Sequence, residues 1–432
     1  MIQTVENIGE KLVSMLTYDA SQPLIFSSGL FLFLFAGFLF FYGFTRRAPM
    51  ARIVYVILFS LYFYYKSSGI YFLLLVFASV SDYWIAHAIY KVRTQRAKYW
   101  LVGLSVLVNL GMLGYFKYTN FLIEIANNLF GQGFLNFQNI FLPVGISFFV
   151  FQSMSYTIDI CRGQLKPLNN WADYLFYLSF FPQLVAGPIV RAKDFIPQIR
   201  QNPLRVTREM FGMGVFLILI GLFKKAVISD YISLNFVDRI FDEPLLYSGF
   251  ECLMGIYGYA LQIYCDFSGY SDMAIGIALL LGFRFPKNFD APYKSATITE
   301  FWRRWHISLS TWLRDYLYIS LGGNRKGRIR TYFNLLVTML LGGLWHGAAV
   351  RFILWGALHG IALALHKLWL SVVPGSKATG AEMRWFWRIP GIFFTFNLVC
   401  FGWLMFRAES MKTVQLMLHQ IFTNFNPSVI PQ

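Results

Sequence analysis

The chain has 432 residues, of which 57% are hydrophobic, 19% are aromatic and only 13% are charged, and its formal net charge is +16. Soluble proteins carry about 25% charged residues, so this composition excludes an ordinary soluble domain and indicates a polytopic membrane protein. A bilayer core needs roughly 20 apolar residues per helix, so the length allows around ten crossings. Because Lys and Arg cluster between apolar runs, the positive charge fits cytoplasmic loops, and no nucleic-acid partner is predicted.

The amino-terminal segment 1–21 contains three acidic residues and no basic region ahead of an apolar stretch, so we expect no signal peptide. It is predicted to be a short extracytoplasmic segment. The first span, near 23–44, is followed by a loop with three arginines, which places that loop in the cytoplasm. Spans near 53–65 and 70–90 then lead to a second basic loop, at 91–98, on the same side.

More apolar runs of spanning length follow along the chain. The sequence therefore predicts an all-α membrane protein with about 10–11 transmembrane helices. No inverted repeat is visible between the two halves, which weighs against a transporter. The further spans are predicted near 99–116, 141–160, 171–184, 210–228, 248–281, 331–345, 350–370 and 386–406.

The segment 285–323 interrupts this pattern because it mixes Pro, Asn, charged residues and aromatic residues. Such a sequence persists at membrane depth only where it is buried in protein or lines a cavity. We therefore predict a re-entrant or interfacial element. Thr299 is expected to cap a helix that begins at Glu300. The basic run 324–330 is expected to form a cytoplasmic loop.

Two Trp-His pairs stand out in this apolar chain, Trp305-His306 and Trp345-His346. Small residues flank His346 on both sides and allow a backbone or a ligand to approach its ring. Loss of water disfavours the charged imidazole, and a neutral imidazole is a competent general base. The alternative is a histidine that only joins two membrane helices by a hydrogen bond. The residues alone leave both interpretations open.

His306 lies among charged and hydroxyl side chains. On a continuous helix it would share a face with Trp302, and with Ser310 and Arg303 it could face a cavity. The alternative is an interfacial amphipathic helix, on which Arg303 and Arg304 reach toward water and the tryptophans form an interfacial belt. Both interpretations are compatible with each other.

Two carboxylates, Asp266 and Asp272, lie within an otherwise apolar run. Each costs about 2.5–3.5 kcal/mol at the centre of a bilayer, so both are expected to have partners or water. Arg303, Arg304 and Arg314 are the candidate partners, and orientation of a histidine is a further possibility. A structural ion pair is the favoured interpretation.

Gln152 shares a helical stripe with Tyr156 and Asp159 and is predicted to support a cavity rather than to react. The chain has no phosphate-binding loop, no nucleophile elbow, no dinucleotide fingerprint and no His-Glu-x-x-His motif, so ATP-driven transport and metalloproteolysis lack their usual signatures. No metal site is predicted. The cysteines have no zinc or redox spacing and are expected to pack as apolar residues: Cys161, Cys252, Cys265 and Cys400.

Several long motifs resemble the membrane-bound O-acyltransferase superfamily, and within it the bacterial alginate O-acetylase branch. They lie between 142 and 407 and read FPQLVAGPIVR, YCDFSGYSDMAIG, FRFPKNF, ITEFWRRWHISLSTWLRDYLYISLGGNRKG and GLWHGAAVRFILWGALHG. The resemblance implies one membrane domain over 1–432, with a ring of tilted helices around a central tunnel. It also implies that His346 is the catalytic histidine and His306 the second signature histidine. Trp305, Trp345, Arg303, Arg304, Asp266, Asp272 and Gln152 are expected to line or support the tunnel.

The resemblance further implies an O-acetyltransferase in the inner membrane of a bacterium, acting on a cell-surface or secreted polysaccharide such as alginate. The expected donor is acetyl-coenzyme A or an acyl carrier, with no tightly bound cofactor, and the expected partners are the bilayer and a periplasmic acetyltransferase-like protein or the glycan itself. His346 would act as the general base, and His306, an arginine or a backbone N–H would stabilise the oxyanion.

Two alternatives remain at this stage: D-alanyl transfer to teichoic acid, and transport of an acylated carrier without chemistry. Members of the branch usually continue past the segment equivalent to 406–410 with further membrane helix. The short sequence after this segment leaves the helix count at the carboxyl end open.

Overall fold

The structure is a computed structural model that describes residues 11–428 apart from 12, 46, 202–204 and 374–383. Helices dominate these residues, and none of them forms a strand. The predicted all-α class is thus confirmed. The chain forms two compact units: Met1–Ile218 with Met273–Phe285, and Leu219–Asp272 with Pro286–Gln432. The predicted segment 1–21 lies largely outside the described residues.

The first unit consists of the amino-terminal helices and the carboxyl-terminal end of one long later helix. Its core is aromatic; Phe181, for example, packs edge-on against Phe59 with ring centroids 5.0 Å apart. Its helices are α1 (Gly29–Tyr42), α2 (Pro49–Ser68), α3 (Phe72–Lys91), α4 (Gln95–Phe130), α5 (Ile146–Cys161), α6 (Trp171–Ser179), α7 (Phe181–Leu184), α8 (Ala192–Ile199) and most of α9 (Arg208–Leu222).

Helix boundaries differ from the predicted spans where Pro and Gly intervene. The predicted span 171–184 divides into α6 and α7, because Phe180 leaves the helical conformation, with φ −54° and ψ 108°, and a proline lies in the first turn of α7. A side chain at Gly187 would place its Cβ 2.4 Å from the carbonyl oxygen of Pro182. The backbone therefore doubles back at this point in a way that only glycine permits. Helix α4 is much longer than the predicted span and ends before Gly131, which has a φ of 110°.

A buried polar network joins helices α3, α4, α5 and α6. The carboxylate of Asp82 is fully buried and accepts hydrogen bonds through Oδ2 from Asn109 Nδ2, at 2.6 Å, and from the Ser153 hydroxyl. The Ser153 oxygen in turn lies 2.9 Å from the Tyr174 hydroxyl. Buried polar groups in a membrane need such internal partners. This network therefore fixes the register of four helices.

Gln152 lies in α5 and is buried. Neither atom of its side-chain amide has a hydrogen-bond partner among the described residues. All other candidate site residues belong to the second unit. The supporting role of Gln152 stays a prediction.

The second unit contains the signature region and both Trp-His pairs. Helix α9 continues into it through π-helical turns at Phe223–Ser229 and Ser233–Val237. The other helices are α10 (Asp230–Ile232), α11 (Asp238–Asp242), α12 (Gly249–Leu280, which ends in the first unit), α13 (Ile298–Arg304), α14 (Ile307–Trp312, continued by a π-helical turn Leu313–Tyr318), α15 (Arg328–His346), α16 (Val350–Val372), α17 (Trp385–Arg407) and α18 (Met411–Thr423).

Helices α15 and α16 form a tight antiparallel pair. A Cβ at Gly343 would lie 2.2 Å from the carbonyl oxygen of Phe352, and one at Gly356 would lie 2.4 Å from that of Met339. Small residues let membrane helices approach backbone to backbone. This pair therefore holds His346, the last residue of α15, against the first turns of α16.

In the described part of the chain, five helical stretches are long and apolar enough to cross a membrane. They confirm a multi-pass membrane protein, while the number of 10–11 crossings stays a prediction. The stretches are Pro49–Lys91, Gln95–Phe130, Arg208–Asp242, Val350–Val372 and Trp385–Arg407.

We expect Asp82→Leu to lower the stability of the protein in detergent more than Asp82→Asn. The leucine leaves the Asn109 and Ser153 donors without an acceptor, at a cost of about 1–3 kcal/mol each, whereas asparagine keeps an acceptor oxygen. Thermal unfolding of the two variants measures the difference. Equal losses of stability would contradict the assigned role of the carboxylate.

Candidate active site

The segment that carries His306 begins with a capping box. The Thr297 hydroxyl accepts a hydrogen bond from the backbone N–H of Glu300 at 3.1 Å, and the Glu300 carboxylate accepts one from Ala296 N–H at 2.9 Å. The prediction that Thr299 caps this helix is therefore wrong. Thr299 lies inside α13, and its hydroxyl is 2.7 Å from Nδ1 of His366. The Thr-x-x-Glu spacing that begins at Thr297 was the available signal.

Helix α13 ends at Arg304, and His306 adopts left-handed backbone angles, with φ 43° and ψ 56°. Trp302 and His306 therefore do not share a helix face, and that prediction is wrong. A left-handed conformation is costly for a residue with a side chain and persists only where neighbours hold it. Here the carbonyl oxygen of Asn288 accepts a hydrogen bond from Ile307 N–H at 2.9 Å.

The side chain of Asn288 defines the protonation of the His306 ring. Its Oδ1 accepts hydrogen bonds from the Ser308 N–H, at 3.2 Å, and the Ser308 hydroxyl, at 2.9 Å. Because Nδ1 of His306 lies 3.2 Å from the same oxygen, that nitrogen must carry the proton. Nε2 of His306 is then a lone-pair acceptor, and it has no hydrogen-bond partner among the described residues.

His306 is 1% exposed, and the Phe267 ring packs edge-on against it with centroids 4.6 Å apart. Burial, and to a smaller extent the nearby His346, lower the pKa of His306 well below its ordinary value. Desolvation of this kind disfavours the charged imidazolium. The His306 ring is therefore neutral at neutral pH.

His346 lies in an aromatic enclosure and is partly exposed. The rings of Trp345, Trp355 and Phe406 meet it edge to face, with centroid distances of 4.8, 5.2 and 5.1 Å. A Cβ at Gly347 would lie 1.9 Å from the Phe352 ring, so only glycine fits beside the histidine. The close contact at Gly347 is thus with a side-chain ring, and the predicted approach of a backbone or ligand to the His346 ring stays a prediction.

The two Trp-His pairs meet in one cluster. The Trp345 ring contacts both histidines, with its centroid 6.4 Å from that of the His306 ring and 4.8 Å from that of the His346 ring. Trp305 is buried and packs against Trp403 with centroids 4.9 Å apart. The structure thus brings together the pair Trp305-His306 and the pair Trp345-His346, although 40 residues separate the two pairs in the sequence.

The predicted partners of Asp266 and Asp272 were wrong. Asp266 pairs with Lys225 at 2.6 Å, and Asp272 pairs with Lys224 at 2.7 Å. These lysines follow α9, which lies against α12 closely enough that a Cβ at Gly269 would be 2.8 Å from the Gly221 carbonyl oxygen. The partners are therefore lysines of a neighbouring helix. As favoured from the sequence, both carboxylates form ion pairs.

The arginines proposed as their partners have other surroundings. Arg304 pairs with Glu300 at 2.8 Å, one helical turn away, and Arg314 pairs with Asp315 at 2.6 Å. Arg303 is exposed. None of the three contributes a cation to the histidine cluster through a contact seen here.

Two residues of this cluster, Asn288 and His359, were not predicted from the sequence. His359 is fully buried in α16, and neither ring nitrogen has a hydrogen-bond partner among the described residues. Its ring lies 4.7 Å from Trp355 and 5.2 Å from Trp302 between centroids. A histidine inside an apolar span was the signal for His359, whereas Asn288, 18 residues before His306, had none.

Among the described residues, no group of three or more His, Cys, Asp or Glu side chains is placed to hold a metal ion.

A family model for membrane-bound O-acyltransferases matches residues 164–409. This range contains the whole cluster built around His306 and His346. The chain belongs to the membrane-bound O-acyltransferase family.

Relatives within this family share long alignments with the chain. It is 44% identical to a probable alginate O-acetylase of Azotobacter vinelandii, over 93% of this chain and 78% of the relative. It is 37% identical to a peptidoglycan O-acetyltransferase of Helicobacter pylori, over 90% of this chain and 78% of the relative. A teichoic acid D-alanyltransferase of Streptococcus thermophilus is 31% identical over 73% and 77% of the two chains.

We expect Asn288→Ala to lower the rate of acyl transfer by on the order of tenfold or more, because the His306 ring loses the acceptor that fixes its tautomer and orientation. Ser271→Ala is the matched control, since the Ser271 hydroxyl accepts a hydrogen bond from the amide nitrogen of Asn288, at 3.1 Å, and not from the group that faces His306. Initial rates of both variants, with thermal stability measured in parallel, provide the comparison. Equal rates for Asn288→Ala and the wild type would disprove the positioning role.

Proposed function

We propose that this protein is a membrane-bound O-acetyltransferase that transfers acetyl groups from acetyl-coenzyme A for O-acetylation of a cell-surface or secreted polysaccharide such as alginate. The observation that carries the proposal is the cluster of two histidines, with a buried and unprotonated Nε2 on His306, in a chain of this family. The names of the alginate and peptidoglycan relatives support acetyl as the group and a glycan as the final acceptor.

In the proposed reaction His346 is the general base. The acceptor hydroxyl attacks the thioester carbonyl while His346 removes its proton, so no free alkoxide forms. The tetrahedral intermediate then collapses, the C–S bond breaks, and the leaving thiolate takes the proton back from His346. The ester product and a free thiol result. The rings of Trp345, Trp355 and Phe406 around the partly exposed His346 restrict the access of water and so limit hydrolysis of the thioester.

His306 has a different role in this scheme. A neutral ring whose proton is on Nδ1 cannot donate a hydrogen bond from Nε2 to an oxyanion. The attacking hydroxyl donates its single proton to His346. We therefore assign Nε2 of His306 the role of accepting a hydrogen bond from a second hydroxyl of the acceptor molecule, which orients the attacking oxygen toward the carbonyl carbon. Stabilisation of the oxyanion then falls to backbone N–H groups or to a cation.

The proposed donor is acetyl-coenzyme A, bound as a substrate from the cytoplasmic side of a bacterial inner membrane. The basic run 324–330 leads into the first turn of α15 and offers positive charge to the donor's phosphates. The charge bias of cytoplasmic loops also accounts for this run. A periplasmic acetyltransferase-like protein or the glycan itself is the proposed acceptor partner.

D-alanyl transfer to teichoic acid is the second enzymatic candidate. The identity of 31% to a D-alanyltransferase, against 44% to an alginate O-acetylase, favours acetyl transfer. Transport without chemistry gives no reason for two neighbouring histidines in one aromatic cluster.

We expect His346→Ala to lower acetyl transfer by about 10²–10⁴-fold, the usual contribution of a general base. His419→Ala is the matched control, because His419 is an exposed histidine in α18. Mass spectrometry of surface glycans from cells with each variant, at equal membrane insertion, measures acetylation. Persistent acetylation in His346→Ala cells would refute the assignment of the base.

We expect His306→Gln to reduce the rate without moving the acidic limb of the pH–rate profile near neutral pH. The pKa of His306 is lowered well below its ordinary value, so the ring gains a proton only at more acidic pH and is neutral on both sides of pH 7. Initial rates between about pH 5.5 and 8.5 test this expectation. An acidic limb near neutrality that disappears in the variant would show that His306 itself titrates there.

A further inference from the structure

A cavity of about 390 Å³ lies in the second unit between α13, the segment α14 to Tyr318, α15 and α16. Most of its wall is apolar, and leucines from three of these elements contribute to it: Leu313, Leu335, Leu363 and Leu370. None of its lining residues is acidic. The function proposed above does not use it.

The cavity carries positive charge at one end. Arg314 and Lys367 both line it, but Arg314 is neutralised by Asp315 through two hydrogen bonds, of 2.6 and 3.2 Å. Lys367 is half-buried and has no hydrogen-bond or ion-pair partner among the described residues. A lysine whose stem lies along apolar surface places its ammonium group at the polar edge of the membrane. An unneutralised ammonium beside an apolar cavity favours a ligand with an anionic head and an apolar tail.

The cavity lies toward the basic ends of α15 and α16. Leu335 is only seven residues from the start of α15, and Leu370 is two residues from the end of α16. The basic run 324–330 leads into the first turn of α15. The positive-inside bias assigns this end to the cytoplasmic face, where the leaflet is rich in anionic lipids.

We propose that this cavity, named here the Lys367 cavity, binds an anionic phospholipid of the cytoplasmic leaflet. One acyl chain lies among the leucines, and the phosphate group pairs with Lys367. Thr299 and Trp302 of α13 also line the cavity, and α13 leads directly into the segment that carries His306. A bound lipid therefore buttresses that segment.

Native mass spectrometry of the full-length protein in detergent, titrated with phosphatidylglycerol or phosphatidylcholine of the same acyl chains, tests the proposal. We expect preferential retention of phosphatidylglycerol. Lys367→Gln should lower that retention by about fivefold, the effect of one basic residue on an anionic headgroup, and leave phosphatidylcholine unchanged. Lys412→Gln, at an exposed lysine of α18 that does not line the cavity, is the matched control and should retain wild-type binding.

Leu363→Trp fills the cavity and should reduce the binding of both lipids while the unfolding temperature stays near that of the wild type. Three results would overturn the proposal: equal retention of the two lipids by the wild type, unchanged phosphatidylglycerol binding in both Lys367→Gln and Leu363→Trp, or displacement of phosphatidylglycerol by acetyl-coenzyme A. The last result would assign the cavity to the acyl donor. Because the readout is binding, it is independent of whether acetyl transfer is the correct reaction.

Discussion

The candidate site depends on the hydrogen bonds by which Asn288 holds the turn at residues 306–308. Its side-chain oxygen accepts hydrogen bonds from Ser308 and faces Nδ1 of His306, while its backbone carbonyl binds Ile307 N–H. These contacts offset the cost of left-handed backbone at His306. They also leave the lone pair of Nε2 available. A single amide thereby sets the position and the tautomer of the signature histidine.

The second histidine is positioned by a packing constraint rather than by hydrogen bonds. Gly343 and Gly356 bring the backbones of α15 and α16 into contact, and the Phe352 ring occupies the space that a side chain at residue 347 would need. His346, the last residue of α15, therefore lies among the aromatic rings of Trp345, Trp355 and Phe406. The two devices are complementary: the neutral His306 is held by polar contacts within a broken helical segment, and His346 is held by close apolar packing.

Sequence-based predictions succeeded where a local pattern carries the information and failed where the answer depends on a distant partner. Apolar runs identified the five helical stretches that are long enough to cross a membrane, because each must match the thickness of the bilayer. The predicted partners of Asp266 and Asp272 were wrong because the choice between lysine and arginine depends on which helix packs against α12. The prediction that Trp302 and His306 share a helix face was wrong, because periodicity cannot reveal that a contact with Asn288 breaks the helix.

By itself, the sequence determined the all-α membrane class, the family through its long motifs, and the two Trp-His pairs as the candidate site. Composition and motif length suffice for these because they are local properties of the chain. Only the tertiary structure decided which nitrogen of His306 carries a proton, that Asn288 and His359 belong to the cluster, and that an apolar cavity with an unneutralised lysine lies beside it. Those features arise from residues far apart in the chain, and packing alone brings them together.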